Sequence, residues 1–203
     1  MWWLTSVNDR YLQNCQTFVL DREITLSRVT CFLNEMEIRK SKKSDVLQIV
    51  EIINQAKAYL KENGIPQWQN GYPDACDVLD DIQKGGAYCA CENGEVIGYS
   101  YISSLAEPNY TVIDGAWFND DPYIVIHRIC VDSSMKGKNV ASLFIEKAKE
   151  IGREKDIFNI RIDTHEKNVS MRRMVEKNGF KKTGIIYVKD GSPRYAYQLI
   201  ACK

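Results

Sequence analysis

Neither sign of charge prevails in this chain. Lys and Arg total 27, and Asp and Glu total 27, over 203 residues, so the formal net charge is zero. That balance signals neither a nucleic-acid nor a membrane partner, and neither is expected. No apolar run is long enough to span a bilayer. The seven cysteines include no C-x-x-C pair, and their odd number does not make a disulfide framework or a zinc site; no metal is expected. Cys89 and Cys91, two apart on one strand pattern, share a face as packing residues. A reducing cytoplasm is the expected location. A secretory signal is also missing, since Met1-Trp2-Trp3 lacks a basic start and Asp9 and Arg10 interrupt too early. Neither G-x-x-x-x-G-K-[ST] nor G-x-G-x-x-G occurs, which sets aside a P-loop and a dinucleotide fingerprint. What is left is an ordinary globular composition, 44% hydrophobic and 27% charged, sized for one domain with a substantial core.

The most informative stretch runs from Tyr123 to Arg153. YIVIHRICV (123–131) is rich in β-branched and aromatic residues and reads as a strand with a polar His127-Arg128 step inside it. Asp132-Ser133-Ser134 breaks it, and the basic turn Met135-Lys136-Gly137-Lys138-Asn139 leads into a helix. Val140, Leu143, Phe144, Ala148 and Ile151 form that helix's buried stripe. A strand, a basic glycine-containing turn and a helix start together make a phosphate site. Unpaired N–H groups point outward, the helix dipole favours anions, and Lys136 and Lys138 add charge. The bland alternative is a solvated corner between strand and helix.

These residues resemble the acetyl-CoA motif of the GNAT (Gcn5-related N-acetyltransferase) superfamily, [RQ]-x-x-G-x-[GA]. Lys136 stands at the usual Arg of the R-G-x-G-x-[GA] form, Gly137 at its first glycine and Ala141 at its last small residue. Asn139 replaces the second glycine. Asn is the non-glycine residue that best tolerates left-handed backbone, so the turn can survive the exchange. A second block, Asn168 to Phe180, resembles N-x-x-[AS]-x-x-[LF]-[YF]-x-[KR]-x-G-F at Asn168, Met174, Glu176-Lys177, Gly179 and Phe180. The resemblance covers residues 36–200. It implies an α/β fold, a central mixed β-sheet with splayed middle strands flanked by helices, and acetyl-CoA as acetyl donor. It places that donor against Ile129, Cys130 and Val131, against Lys136, Gly137, Lys138, Asn139, Val140, Ala141 and Ser142, and against Asn168. A thiolate-protonating Tyr used by many members would stand at Val175, leaving Tyr187, Tyr195, water or solvent to serve.

In chain order the pattern predicts a strand at 36–40 and a helix from Ser44, as N-cap, to about Glu62. A second short helix carries Ala75, Val78, Leu79 and Ile82. A hairpin turns at Asn93-Gly94. After the central strand and cofactor helix come a strand (157–165), a helix (168–180) with Met171, Met174 and Val175 inward, and strands at 183–188 and 194–200. The alternation in this half predicts parallel pairing. Residues 1–35 show no period. They read either as an extension upstream of an alternative start at Met36 or as a docking arm, with 36–203 as the catalytic domain.

Acetyl transfer to an amine needs a neutral nucleophile and therefore a base, and the thioester oxygen needs a donor, here a backbone N–H around Ile129–Val131. His127 is the candidate base, in a position resembling a catalytic histidine of the arylalkylamine branch. Equally, it is a satisfied core histidine. By period two it shares a face with Tyr123, Val125, Ile129 and Val131, with Cys130 pointing away and so not a nucleophile. Asp163 is either an acceptor-ammonium ligand or a turn cap, and His165 faces solvent. Trp68 is a substrate-pocket wall or a core lid. Trp117, in an irregular stretch of about twenty residues that a compact domain keeps for function or mobility, is an acceptor contact or a packing residue. The expected reaction is N-acetylation of a primary amine, small or on a protein, by direct attack. The alternative is a catalytically impaired acyl-CoA-binding module. An exposed strand edge would permit a homodimer.

Overall fold

The computed structural model describes residues 36–202. The two readings of residues 1–35 lie outside the described residues. Twelve elements follow one another: β1 (Glu37–Lys40), α1 (Val46–Glu62), α2 (Ala75–Gln83), β2 (Ala87–Glu92), β3 (Glu95–Ser103), β4 (Asp114–Gly115), β5 (Tyr123–Val131), α3 (Val140–Lys155), β6 (Asn159–Thr164), α4 (Val169–Lys177), β7 (Lys181–Tyr187) and β8 (Pro193–Ile200). The strands form one eight-stranded sheet in the order β1-β2-β3-β5-β6-β8-β7-β4. β2 and β3 make the expected hairpin, with Asn93 (φ 53°) and Gly94 (φ 84°) both in the left-handed region that a two-residue primed turn demands.

The second half departs from the expected parallel pairing. Among the described residues only β5 and β6 run parallel, joined by the α3 crossover, while β8 inserts between β6 and β7 antiparallel to both. Connection length explains it. Tyr187 and Pro193 end and begin strands separated by a short turn, closed by Val188 N to Ser192 O at 3.1 Å, and a turn that short admits only antiparallel neighbours. β4, two residues inside the irregular stretch, pairs with the outer edge of β7; nothing in its sequence marked it.

One face of the sheet packs on α3 and α4, the other on α1 and α2. The α3 stripe is buried at Val140, Phe144, Ala148 and Ile151, as its periodicity predicts, but Leu143 is only half-buried and Ile145 takes the inward place instead. Against the opposite face lie Ile49, Ile52 and Ile53 of α1, Val78 of α2, and Cys89 and Cys91 of β2. Burying each such branched or aromatic side chain contributes roughly 1.5–3 kcal/mol.

The start of α1 is not capped by Ser44. A 3₁₀ turn at Lys43–Asp45 precedes the helix and puts Asp45 at the cap position. Its carboxylate is committed elsewhere. It accepts from Lys42 N at 2.7 Å and takes both Arg39 terminal nitrogens, at 2.7 and 3.1 Å. The bonds from Arg39 hold the Asp45 carboxyl below its ordinary range despite burial. A carboxyl lowered in the folded state adds stability above its unfolded pKa, about 3.9, and that stability is lost as pH falls through the folded value. Asp45→Asn should therefore lower the urea midpoint near neutral pH, with the gap to the parent closing in acid. An equal gap at both pH values would refute the assignment.

Candidate active site

β5 carries the site because its pairing changes sides along its length. Parallel pairing with β6 covers only Tyr123–Val125 opposite Asn159–Arg161. Beyond Val125 the two strands diverge, and β5 continues only against β3. There the register slips: Tyr101 faces His127 but Tyr99 faces Cys130. Two residues of β5, Arg128 and Ile129, thus oppose Ser100 alone. This is a β-bulge, with Arg128 in the left-handed region at φ 58°.

The bulge overturns the face assignment made by simple alternation. Directly paired residues project to the same face, so Tyr101, His127, Tyr99 and Cys130 all lie on the α1–α2 side. Ile129 and Val131 instead pack with Ile124 and Ile126 against the α3–α4 core. Cys130 does not point away from His127 as expected. It is excluded as a nucleophile on another ground: the thiol is buried, which pushes it up to about 12. The register also fixes which backbone N–H groups of β5 face the split. Val131 faces Gly98, while Asp132 N donates to Ile97 O at 2.9 Å. By antiparallel alternation the Val131 N–H points away from β3 into the split, as does that of Ile129 two residues back.

His127 sits at the mouth of this split, its side chain 21% exposed. Val125 and Arg161 are the last parallel pair, so His127 and Asp163, each two residues on, face one another across the opening. The His127 Nδ1 to Asp163 Oδ1 distance is 4.0 Å. On the other side of the ring, Nε2 lies 3.0 Å from Glu107 Oε2. Tyr101 stacks on the imidazole, with centroids 6.3 Å apart and planes at 14°. Asp163 is no turn cap: its Oδ1 accepts from Tyr110 at 2.7 Å.

A continuous cavity of about 1580 Å³ runs through the split. A single small ligand needs about 300–1,000 Å³, so there is room for two substrates. One end is lined by Lys136, Gly137, Asn139, Val140, Ala141 and Ser142, with Asn168 and Lys177 from α4; the walls include Ile129, Cys130 and Val131; the other end holds His127, Asp163, Glu107 and Trp68. Gly137 (φ 83°) and Asn139 (φ 61°) are both left-handed. Asn139 holds the backbone that the expected glycine would adopt, and its Oδ1 accepts from Lys177 Nζ at 2.9 Å, so α4 steadies the turn. In the first turn of α3, Ser142 N donates to Asn139 O at 3.0 Å, while the N–H groups of Val140 and Ala141 start the helix without an i−4 carbonyl inside it and line this end of the cavity, the arrangement a pyrophosphate requires.

A family model for the GNAT acetyltransferases matches residues 51–180. A GNAT-family acetyltransferase structure from Streptococcus agalactiae is 33% identical, over 83% of this chain and 96% of that one, with a TM-score of 0.76. Another from Listeria monocytogenes, at 24% identity, covers 81% of this chain and 94% of its own with a TM-score of 0.63. The PaiA N-acetyltransferase of Thermoplasma acidophilum, in complex with coenzyme A, shares the fold at 17% identity, covering 82% of this chain and 99% of its own, with a TM-score of 0.63. No curated protein matches. This chain belongs to the GNAT acetyltransferase family.

Within the GNAT frame, most of the residues singled out in the sequence converge on the cavity, and a few do not. Lys138 turns its Nζ to Met135 Sδ at 3.4 Å and does not line the cavity. Trp117 is also outside the lining. Its ring stacks on the Arg161 guanidinium and its Nε1 donates to Tyr110 O at 3.0 Å. Trp68 lines the cavity and packs on the α1–α2 core. Asn168 lines the cavity, and its Oδ1 caps α4 by accepting from Met171 N at 3.2 Å. Val175 is fully buried in the α3–α4 core, and neither Tyr187 nor Tyr195 reaches the cavity. His165, expected in solvent, is buried; that burial lowers its pKa, and its Nδ1 accepts from Lys167 N at 3.1 Å. Among the described residues no helix is long and apolar enough to cross a membrane, and no cluster suited to a metal occurs.

Sequence reasoning missed Glu107 and the Arg128–Asp81 pair. Arg128 Nε donates to Asp81 Oδ2 at 2.8 Å, and the guanidinium grips Asp81 through Nη2 as well while reaching Tyr72 through Nη1. No local motif marks either contact, because each joins β5 to a residue twenty or more positions away.

Proposed function

We propose that this GNAT protein transfers the acetyl group of acetyl-CoA to a primary amine, on a small molecule or a protein, by direct attack. The observation that carries the reading is the pair His127 and Asp163, facing each other across the β5–β6 split beside the inward N–H groups of Ile129 and Val131. An alkylammonium resembles Lys, near ~10.4, and enters charged. Asp163 receives that cation, and His127 takes a proton from it. The neutral nitrogen attacks the thioester carbon, the C–N bond forms, and the Ile129 N–H stabilises the charge that develops on oxygen. The C–S bond then breaks, the new amide nitrogen releases its second proton to solvent, and the CoA thiolate is protonated from solvent, since no tyrosine stands at Val175. Lys136, the first turn of α3 and the Asn139–Lys177 contact supply the phosphate end. That a relative is solved with coenzyme A supports the same donor here.

Calorimetric titration tests the donor, with acetyl-CoA, free CoA and 3′-dephospho-CoA compared. Saturable acetyl-CoA binding, followed by thiol release with at least one member of an amine panel, is the expected result. Binding without turnover would favour the catalytically impaired module. No binding at roughly millimolar ligand (a free energy weaker than about −4 kcal/mol) would end both readings.

A further inference from the structure

We propose that Glu107 is the positioning residue for His127: it accepts the Nε2 hydrogen and so fixes the neutral imidazole with its lone pair on Nδ1, toward Asp163 and the split. The inference rests on His127 being the base of the reaction above and specifies which nitrogen does the work.

The geometry leaves little choice of tautomer. Burial raises the Glu107 carboxyl, but the bonds from His127 and Asn109 outweigh it and hold the group below its ordinary range. An ionised carboxylate only accepts, so across the 3.0 Å contact Nε2 is the donor. The competing partner is Asp163. Its Oδ1 lies 4.0 Å from Nδ1, beyond hydrogen-bond range, and already accepts from Tyr110. Without Glu107, Nδ1 would carry the hydrogen toward Asp163 and the lone pair would turn to Nε2, away from the split. The other groups around the ring do not alter this balance. Tyr101 offers its ring face from β3, Tyr110 lies tilted at 55° to the imidazole with its hydroxyl on Asp163, and Arg128 is committed to Asp81.

Glu107 itself is held from several directions. Its Oε1 accepts from Asn109 N at 3.1 Å and Asn109 Nδ2 at 2.6 Å, and its backbone N donates to Tyr123 Oη at 2.9 Å. The Tyr123 ring in turn stacks on Arg161, which is sandwiched against Trp117 and donates to Asn119 O at 2.7 Å. The long irregular stretch before β5 is thus a fixed arm that delivers one carboxylate to one imidazole nitrogen.

The decisive experiment is long-range ¹H–¹⁵N correlation spectroscopy on the full chain labelled at histidine. The chain has two histidines, and His127→Gln assigns the spectrum. At a pH where the ring is neutral, His127 should show the Nε2–H pattern. In Glu107→Gln, which keeps the Oε1 acceptor for Asn109, and in Glu107→Leu the population should move toward Nδ1–H. Acetyl-CoA affinity should not change, while kcat/KM falls about 10- to 100-fold, a part of the ~10²–10⁴ that a positioned base contributes. An Nδ1–H pattern in the parent, or a tautomer unmoved in both variants, would overturn the proposal. The spectrum needs no acceptor, so a parent that turns over no amine would refute the transferase reading separately.

Discussion

Replacing His127 by alanine should lower kcat/KM by about 10²–10⁴-fold and leave acetyl-CoA affinity within about twofold of the parent, within the context-dependent scatter of an uninvolved site. The split follows from where the side chain stands. His127 lies at the mouth of the β5–β6 opening beside Asp163, whereas the far end of the cavity is built from the 136–142 turn and α4. Imidazole is the side chain whose ordinary titration range spans neutrality, so in the proposed reaction its loss removes the proton acceptor and leaves the 136–142 turn untouched. A core histidine behaves differently. At 21% side-chain exposure and with Glu107 as partner, truncation of a merely structural His127 would lower the unfolding midpoint and slow catalysis only in proportion to misfolded protein. Parent-like turnover in a folded variant would remove the base from the mechanism and leave Asp163 as the proton acceptor. Calorimetry, a thiol-release assay and a denaturation curve on the same preparation separate these outcomes.

The parts of the site legible in the sequence are those whose chemistry is local. The turn from Lys136 to Ser142 announces itself because a helix start and a left-handed residue are properties of adjacent positions. Asn139 at φ 61° behaves as its tolerance for that conformation predicts. The α3 stripe and the Asn93-Gly94 hairpin are local in the same sense. The misreadings arise where one extra residue changes everything downstream of it. Period-two alternation put Ile129 and Val131 on the face of His127, and the bulge at Arg128 moved them to the other, bringing Cys130 across. A bulge of this kind has no local signature when the left-handed residue is an arginine, because what selects it is the distant carboxylate of Asp81. Glu107 was hidden for a related reason. It belongs to a stretch without period, whose conformation is set by Arg161 lying between Trp117 and Tyr123, residues 38 or more positions away in one direction. His165 looked like a loop residue and is one, but a loop following β6 is roofed by its neighbours.

That distant carboxylate is also where stability should be most sensitive. Asp81→Ala is expected to destabilise the protein by about 3–5 kcal/mol, the range for removing one member of a buried ion pair. The Asp81 side chain is 2% exposed and that of Arg128 13%, so solvent cannot take over the solvation of the remaining charge. Asp81 also accepts from the Tyr99 hydroxyl, and its removal leaves that buried donor unpaired as well. The pair earns its place through specificity of backbone rather than net attraction. Arg128 occupies a left-handed conformation that costs a non-glycine residue of order 1–3 kcal/mol, and its side chain is stacked beside Tyr101 and Tyr72 while gripping Asp81. Releasing the guanidinium frees the bulge to relax, which would rotate the Ile129 N–H out of the split. Urea denaturation of Asp81→Ala, Arg128→Met and the double variant tests this. The double should be less destabilised than the sum of the singles by at least about 1 kcal/mol, the coupling expected of residues in one network, while acetyl transfer falls in all three. Additive stabilities with an intact reaction rate would mean that β3 alone holds the bulge and that the buried pair contributes nothing to the site.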